Sequence, residues 1–202
     1  MAIKTVIFDI GNVLVDFCWE RFYRSFGFSE GIFKRLAKAT VYDEMWNQFD
    51  KGVLTEDEML HGFIQNDPGI EQEIRTAFSD ISGIIDVFDY THDWIHELQK
   101  KGYQVLILSN FSEKCYRECG SKMDFVKETN GAVLSYIEKK IKPNDDIYEL
   151  LIDRYHLVPE ECVFLDDKQE NVAAAEKFGI HGIVFQGRED ALIKMKELGI
   201  RV

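Results

Sequence analysis

The sequence predicts an α/β protein with a doubly wound parallel sheet as its core and an inserted all-helical cap. Short runs of almost entirely apolar residues end in polar turn residues, and helical patterns lie between these runs. Residues 16–85 differ, because they carry aromatic residues at a spacing of three to four and show no convincing strand. We therefore assign residues 1–15 and 86–202 to the core and residues 16–85 to the cap.

The strands of the core are predicted from four apolar runs. The first covers residues 4–8, and similar runs follow at 103–110, 162–167 and 181–185. These runs do not alternate between apolar and polar residues, so we expect strands that are covered on both faces, as in a parallel sheet. Strands and helices alternate from about residue 86 onward, which is the Rossmann-like arrangement.

The helices are predicted from apolar residues that recur three and four positions apart. In the core this pattern covers 91–101, 146–155 and 169–178. In the cap, Thr55 precedes Glu58 by three residues, which is the spacing of a capping box at a helix start.

Composition excludes several classes of function. The 202 residues carry a formal net charge of −12. We therefore expect neither a nucleic-acid partner nor an anionic membrane partner, since both require a basic surface. An acidic protein that acts on a phosphate must also supply positive charge locally at its site.

We expect a soluble, cytoplasmic protein; a monomer is one candidate state, since the sequence does not fix the oligomeric state. The first residues lead directly into a strand pattern without the apolar region of a signal peptide. No apolar run approaches the roughly 18 residues that a membrane span needs. The cysteines fit neither a disulfide framework nor a zinc ribbon, so we interpret them as reduced thiols; they are Cys18, Cys115, Cys119 and Cys162.

Polar side chains follow three of the predicted strands at the points where these strands end. Asp9 follows the first strand, Ser109 and Asn110 end the second, and Asp166 and Asp167 end the third. Ligands of open α/β sheets bind at the carboxyl ends of the strands, so we expect these side chains to lie together. Clustered carboxylates repel each other, and a hard divalent cation such as Mg²⁺ removes that repulsion.

Two further features favour a phosphate site. Ser109 and Asn110 precede a helix that starts near Ser112, and a hydroxyl beside the N–H groups of a helix N-terminus can bind an anion. Lys142 precedes Pro143 just before another helix, where its ammonium group could place a positive charge on a phosphate.

Four segments resemble the four motifs of the haloacid dehalogenase-like (HAD) hydrolase superfamily, in the same order and at similar separations. They are FDIGNVLVDF (8–17), LILSN (106–110), IKPNDDIY (141–148) and VFLDDKQENVAAAEKFGI (163–180). The resemblance covers the whole chain, and residues 16–85 look like the helical cap of many members. The FDxGNV opening is similar to that of glucose-1-phosphatase-like enzymes. The resemblance implies a Mg²⁺-dependent phosphomonoester hydrolase that acts on a small phosphorylated metabolite, with a sugar phosphate as one candidate.

The resemblance also implies roles for individual residues. Asp9 matches the nucleophile that forms an aspartyl-phosphate. Ser109 matches the hydroxyl that binds the phosphoryl group, with Asn110 beside it. Lys142 matches the lysine that steadies the nucleophile and the phosphoryl oxygens.

The implied metal ligands come from two of the motifs. Asp167 looks like the main acidic ligand, and Asp166 is its partner, either binding the metal directly or supporting the ligand. Asp9 and the backbone carbonyl of Gly11 complete the set.

The sequence departs from the family at Gly11, where most phosphatases of this superfamily carry an Asp as general acid and base. Losing such a group costs about 10²–10⁴-fold in rate unless the leaving group departs easily. The substrate, a water molecule or Asp16 could supply the proton, although we interpret Asp16 first as a hinge residue of the cap.

Two alternatives therefore stay open. One is a metal-independent 2-haloacid dehalogenase, which the pair Asp166 and Asp167 disfavours. The other is a catalytically weak member that binds a phosphorylated ligand as a regulator. The aromatic residues Trp19, Tyr42 and Trp46 could line a sugar pocket, but packing in the core is the favoured interpretation.

Overall fold

Five parallel strands form the central sheet of the structure, a computed structural model that describes residues 2–202. Met1, the first residue of the expected core, lies outside the described residues. The strands in chain order are β1 (Thr5–Phe8), β2 (Val15–Phe17), β3 (Ile85–Val87), β4 (Gln104–Ser109), β5 (Gly131–Leu134), β6 (Cys162–Asp166) and β7 (His181–Val184). The sheet has the order β5-β4-β1-β6-β7, while β2 and β3 form a separate antiparallel ribbon.

Helices flank the strands of the core and make up most of the segment between β2 and β3. That segment contains α1 (Trp19–Ser25), α2 (Glu30–Ala39), α3 (Glu44–Lys51), α4 (Glu56–Asn66) and α5 (Glu71–Ser79). The core contains α6 (Thr91–Lys100), α7 (Glu113–Cys119), α8 (Phe125–Glu128), α9 (Ser135–Glu138), α10 (Asp145–Tyr155), α11 (Gln169–Glu176) and α12 (Arg188–Glu197). None of the helices within residues 2–202 is long and apolar enough to cross a membrane.

The predicted fold class is confirmed, because the sheet is parallel and helices cover its strands. Each of the four predicted strands is present and ends within one residue of the expected position at either end. The predicted capping box at the start of α4 is also present, with the Glu58 N–H donating to Thr55 Oγ1 at 3.2 Å.

Three strands were not predicted. The expectation of no strand between residues 16 and 85 is wrong at both ends, because β2 pairs with β3 where the chain enters and leaves the helical segment. The edge strand β5 was also missed. These strands have three or four residues each, which is too short for an apolar run or an alternation to stand out from the surrounding loop.

The register of the sheet places the functional residues. Phe8 at the end of β1 pairs with Ile107 of β4 on one side and Leu165 of β6 on the other. The residues that follow these three positions therefore meet at the carboxyl edge, and the Asp9 N–H donates to the Leu165 carbonyl at 2.9 Å. Asp9 therefore lies at the carboxyl edge of the sheet, between β4 and β6.

One buried apolar cluster joins the sheet to the helical segment. It includes Phe8 and Ile107 of the sheet together with Leu36 of α2 and Phe63 of α4. The sheet and the helical segment between β2 and β3 therefore share a continuous packed interior.

Candidate active site

A buried lysine holds two of the predicted carboxylates. Lys142 lies in the loop between α9 and α10, and its Nζ is 2.8 Å from Asp9 Oδ1 and 2.6 Å from Asp166 Oδ2. Its third proton is donated to the Leu108 carbonyl at 2.9 Å. Lys142 is only 3% exposed and Asp9 only 7%. The lysine thus fixes Asp9 at the end of β1 and offsets part of the clustered negative charge.

Asn110 positions this lysine. Its side-chain oxygen accepts the Lys142 backbone N–H at 2.8 Å, and its Nδ2 donates to the Lys142 carbonyl at 3.0 Å. Both ends of the Asn110 amide are therefore used to hold the loop that carries Lys142.

The two acidic residues at the end of β6 differ in environment. Asp166 is fully buried, and it accepts hydrogen bonds from Lys142, from the Lys168 N–H and from Asn171 Nδ2. Asp167 is half-buried and accepts one hydrogen bond, from Asn12 Nδ2 at 2.8 Å. Asp166 is thus enclosed by donors, whereas Asp167 keeps free acceptor capacity.

The donor set fits a hard cation. Asp9, Asp166 and Asp167 each offer a carboxylate oxygen, and these oxygens lie within 4.8 Å of one another. Carboxylate oxygens are the protein ligands that Mg²⁺ prefers, usually one or two of them together with waters. Since Lys142 and Asn171 already surround Asp166, the carboxylates that are best placed to bind a cation directly are those of Asp9 and Asp167.

The buried charges shift each other's pKa values. Burial raises the pKa of Asp9 to about 6, the Lys142 ammonium opposes that rise, and the Asp166 carboxylate adds to it. Burial alone would lower the pKa of Lys142, but the two carboxylates beside it raise this pKa above its ordinary value. The lysine therefore stays charged and keeps favouring the ionised form of Asp9, the form that can attack phosphorus.

These residues open onto a cavity of about 200 Å³ between the sheet edge and the helical segment. Five of the predicted site residues form part of its wall: Asp9, Gly11, Asn110, Lys142 and Asp167. Ser109 and Asp166 lie beneath that wall and are fully buried. The buried Ser109 hydroxyl makes no well-formed hydrogen bond within residues 2–202, and its proximity to the Asp9 carboxylate lowers the pKa of Asp9.

The other residues singled out from the sequence lie at different distances from this cavity. Asp16 lies on β2 and faces Arg21, with its carboxylate 3.5 Å from the guanidinium, so it belongs to the ribbon and not to the cavity wall. Trp46 lines the cavity. Trp19 instead stacks on the side of α2, and Tyr42 is 70% exposed.

Sequence reasoning missed three polar residues of the site. Asn171 holds Asp166 from the first turn of α11, Lys168 lines the cavity from the loop before that helix, and Asp50 lines it from α3. Asn171 lies inside the last quoted motif, five residues after Asp166, and that position could have marked it. No sequence signal marks Asp50, because an acidic residue near the end of an amphipathic helix usually faces solvent.

A protein-family model described as haloacid dehalogenase-like hydrolase matches residues 3–179 of the chain. The chain is 28% identical to the sesquiterpene phosphatase astK of Aspergillus oryzae over 185 residues, covering 89% of this chain and 88% of that protein. It is 25% identical to a D-ribitol-5-phosphate phosphatase of Bacteroides thetaiotaomicron over 187 residues, covering 88% and 89%.

Solved structures share the fold. A HAD family enzyme from Bacteroides thetaiotaomicron, crystallised with magnesium and inorganic phosphate, superposes with a TM-score of 0.69 at 22% identity, covering 90% of this chain and 93% of that one. At this identity the likeness shows a common architecture of sheet and helices.

Proposed function

Since the chain belongs to the haloacid dehalogenase-like hydrolases, we propose that it is a Mg²⁺-dependent phosphomonoester hydrolase that acts through an aspartyl-phosphate on Asp9. The observation that carries the proposal is the contact of Lys142 with both Asp9 and Asp166 at the floor of the cavity. This contact orients an ionised carboxylate toward the space where a phosphoryl group can enter.

Each residue of the site has a separate role in the proposed hydrolysis. An oxygen of Asp9 attacks phosphorus, and the bond from phosphorus to the ester oxygen breaks. Lys142 holds Asp9 in place and offers its charge to the phosphoryl oxygens, and the buried Ser109 hydroxyl donates a hydrogen bond to one of them. Asn110 acts indirectly, by holding the backbone of Lys142.

The acidic residues would hold the cation. Asp9, Asp167 and the backbone carbonyl of Gly11 are the proposed ligands, and Asp166 supports the site through Lys142 and Asn171. When bound, Mg²⁺ neutralises charge that develops on the phosphoryl group. Two lysines at the cavity, Lys142 and Lys168, add positive charge in a protein whose net charge is −12.

The cavity indicates a small substrate. Its wall combines the acidic floor with an apolar side that includes Phe17, Val41 and Trp46. Related proteins are named for a polyol phosphate and for a sesquiterpene phosphate. We therefore propose a small phosphorylated metabolite, with sugar phosphates tested first and apolar phosphate esters beside them; residues 16–85 would act as the cap that closes the site.

The first prediction concerns Asp9. Purified protein is assayed for phosphate release against a panel of sugar, polyol and prenyl phosphates, with Mg²⁺ and with EDTA. We expect Asp9→Asn to lose turnover by about 10⁴-fold or more, because an amide is a poor nucleophile, and we expect EDTA to abolish turnover of the wild type. Circular dichroism of Asp9→Asn checks that the variant is folded.

Other outcomes would contradict the proposal in different ways. Halide release from a 2-haloacid that persists in EDTA would favour a dehalogenase. Binding of inorganic phosphate without turnover of any ester would favour a regulator. Full phosphatase activity of Asp9→Asn would remove Asp9 from its assigned role.

A further inference from the structure

A second carboxyl group faces the same cavity as the nucleophile. Asp50 is the penultimate residue of α3 and lines the cavity together with Asp9, Lys142 and Lys168. Its carboxylate forms no ion pair with any side chain of residues 2–202. The half-buried Asp50 is thus an acid without an ion-pair partner in the active-site cavity.

The end of α3 that carries Asp50 is fastened to the core. Ser135 Oγ donates to the Asp50 carbonyl, and Lys139 Nζ donates to the carbonyl of Gly52. Gly52 ends α3 in the left-handed conformation with φ 69°, and a Cβ there would lie 2.7 Å from the carbonyl oxygen of Tyr136 on α9. These contacts fix the position of Asp50 relative to the sheet edge.

The surroundings of Asp50 favour its protonated form near neutral pH. Burial raises the pKa of Asp50 to about 7, and the Asp9 carboxylate adds to the rise. Lys168 and Lys142 oppose it by charge, and the Trp46 side chain opposes it through a hydrogen bond. The titratable groups on the neighbouring elements that face this region are Cys115 of α7 and Tyr136 and Lys139 of α9. A carboxyl group with a pKa near the working pH is suited to give and retake a proton.

The other candidates for this task are less suitable. Gly11 has no side chain, although a Cβ there would meet no atom of residues 2–202 within 4 Å. Asn12 cannot exchange a proton, and its amide is already held by Asp167. Asp16 lies outside the cavity wall, beside Arg21.

We propose that Asp50 is the general acid and base of the reaction, supplied by the helical segment in place of a carboxyl group at position 11. This inference rests on the proposed phosphatase function. In the first step Asp9 forms a bond to phosphorus while the ester bond breaks, and the leaving oxygen takes the proton of Asp50. In the second step the Asp50 carboxylate takes a proton from water, whose oxygen attacks phosphorus. The bond to Asp9 then breaks, which releases phosphate and restores both carboxyl groups.

The second prediction uses the leaving group to test this role. A poor leaving group needs protonation, whereas p-nitrophenolate departs without it. For Asp50→Asn we measure kcat/KM, which reports formation of the aspartyl-phosphate and not its later hydrolysis, a step common to all substrates. We expect kcat/KM to fall about 10²–10⁴-fold on the alkyl phosphate that the wild type hydrolyses fastest in the panel, and less than about tenfold on p-nitrophenyl phosphate. Asp57→Asn, which removes a charge from the exposed first turn of α4, is the matched control and keeps wild-type kcat/KM on both.

The pH profile gives a second readout that a merely structural role would not move. With the alkyl phosphate, wild-type kcat/KM falls as pH rises above about 7 because the acid ionises, and Asp50→Asn loses this alkaline limb. Equal losses of kcat/KM on both leaving groups, or an unchanged kcat/KM, would overturn the role of Asp50 as general acid while leaving the phosphatase intact. If the wild type releases phosphate from no ester, the underlying function itself is wrong.

Discussion

At the scale of single residues, Lys142 offsets the negative charge of two neighbouring carboxylates. Its ammonium group contacts Asp9 and Asp166 in a site where both carboxylates are buried. Removing one partner from such a network leaves uncompensated buried charge, which is destabilising. The orientation of Asp9 therefore depends on a residue that is more than 130 positions away in the chain.

Asp50 lacks such a partner, which leads to the third prediction. Its pKa in the folded protein is about 7, above the ordinary value of 3.8. The folded state therefore favours the protonated form, and the stability that this provides is lost as pH rises from about 4 through 7. Asp50→Asn removes the ionisation, so we expect the variant to be more stable than wild type by on the order of 1–3 kcal/mol at pH 8 and by a clearly smaller margin at pH 4.5, where only part of the penalty is present.

Urea unfolding in EDTA at the two pH values measures this difference. The control is again Asp57→Asn, whose exposed carboxylate predicts no pH-dependent gain. A loss of stability at pH 8 for Asp50→Asn would show that the ionised carboxylate makes favourable contacts, contrary to our interpretation. If Asp50→Asn is more stable at pH 8 and also loses turnover on an alkyl phosphate, the ionisable carboxyl group lowers stability while it supports activity.

At the scale of elements, the sequence predicts the site residues that stand at the ends of buried strands. Asp9 and Asp166 were found because β1 and β6 are apolar runs that end in acids, and a parallel sheet brings such ends together. The position of Asp50 could not be found this way. It depends on how α3 packs on α9, a contact between elements about 85 residues apart, and local periodicity carries no information on such a contact.

The junction of α3 and α9 gives the fourth prediction. A Cβ at Gly52 would lie 2.7 Å from the Tyr136 carbonyl oxygen, and φ 69° disfavours any L side chain. We expect Gly52→Ala to lower the free energy of unfolding by about 1–3 kcal/mol, because backbone must move and left-handed alanine is strained. We also expect kcat to fall by about tenfold or more, because Asp50 moves with the end of α3.

Gly27→Ala separates the two effects. Gly27 follows α1 and also has a positive φ, 70°, but a Cβ there would meet no atom of residues 2–202 within 4 Å. This variant should lose about 1 kcal/mol of stability through backbone strain alone and keep its kcat. Phosphate release and urea unfolding of both variants test the difference. Wild-type kcat in Gly52→Ala would show that the junction does not position the acid.

At the scale of the whole molecule, the helical segment between β2 and β3 is joined to the sheet by packing as well as by its two covalent connections. The ribbon of β2 and β3 connects the two parts covalently, and the buried apolar cluster continues from Phe8 of the sheet to Phe63 of α4. Ion pairs add to this contact, since Glu56 of α4 meets Lys114 at 3.1 Å and Arg117 at 2.6 Å on α7. The cavity therefore lies between two parts of the chain that share one packed interior.

The fifth prediction is that the chain unfolds as one cooperative unit, although the core and the helical segment could be two domains. Trp19 and Trp46 report on the helical segment, and Trp94 reports on the core. In Trp94→Phe, fluorescence follows only the helical segment, while far-UV circular dichroism follows the whole chain. We expect the two urea transitions to coincide, because separating the parts would expose the shared apolar cluster to water.

The double variant Trp19→Phe and Trp46→Phe repeats the comparison with fluorescence that follows only the core. A fluorescence midpoint below that of circular dichroism in Trp94→Phe would mean that the cap opens independently, and the fixed position of Asp50 over the cavity would then describe only the closed state.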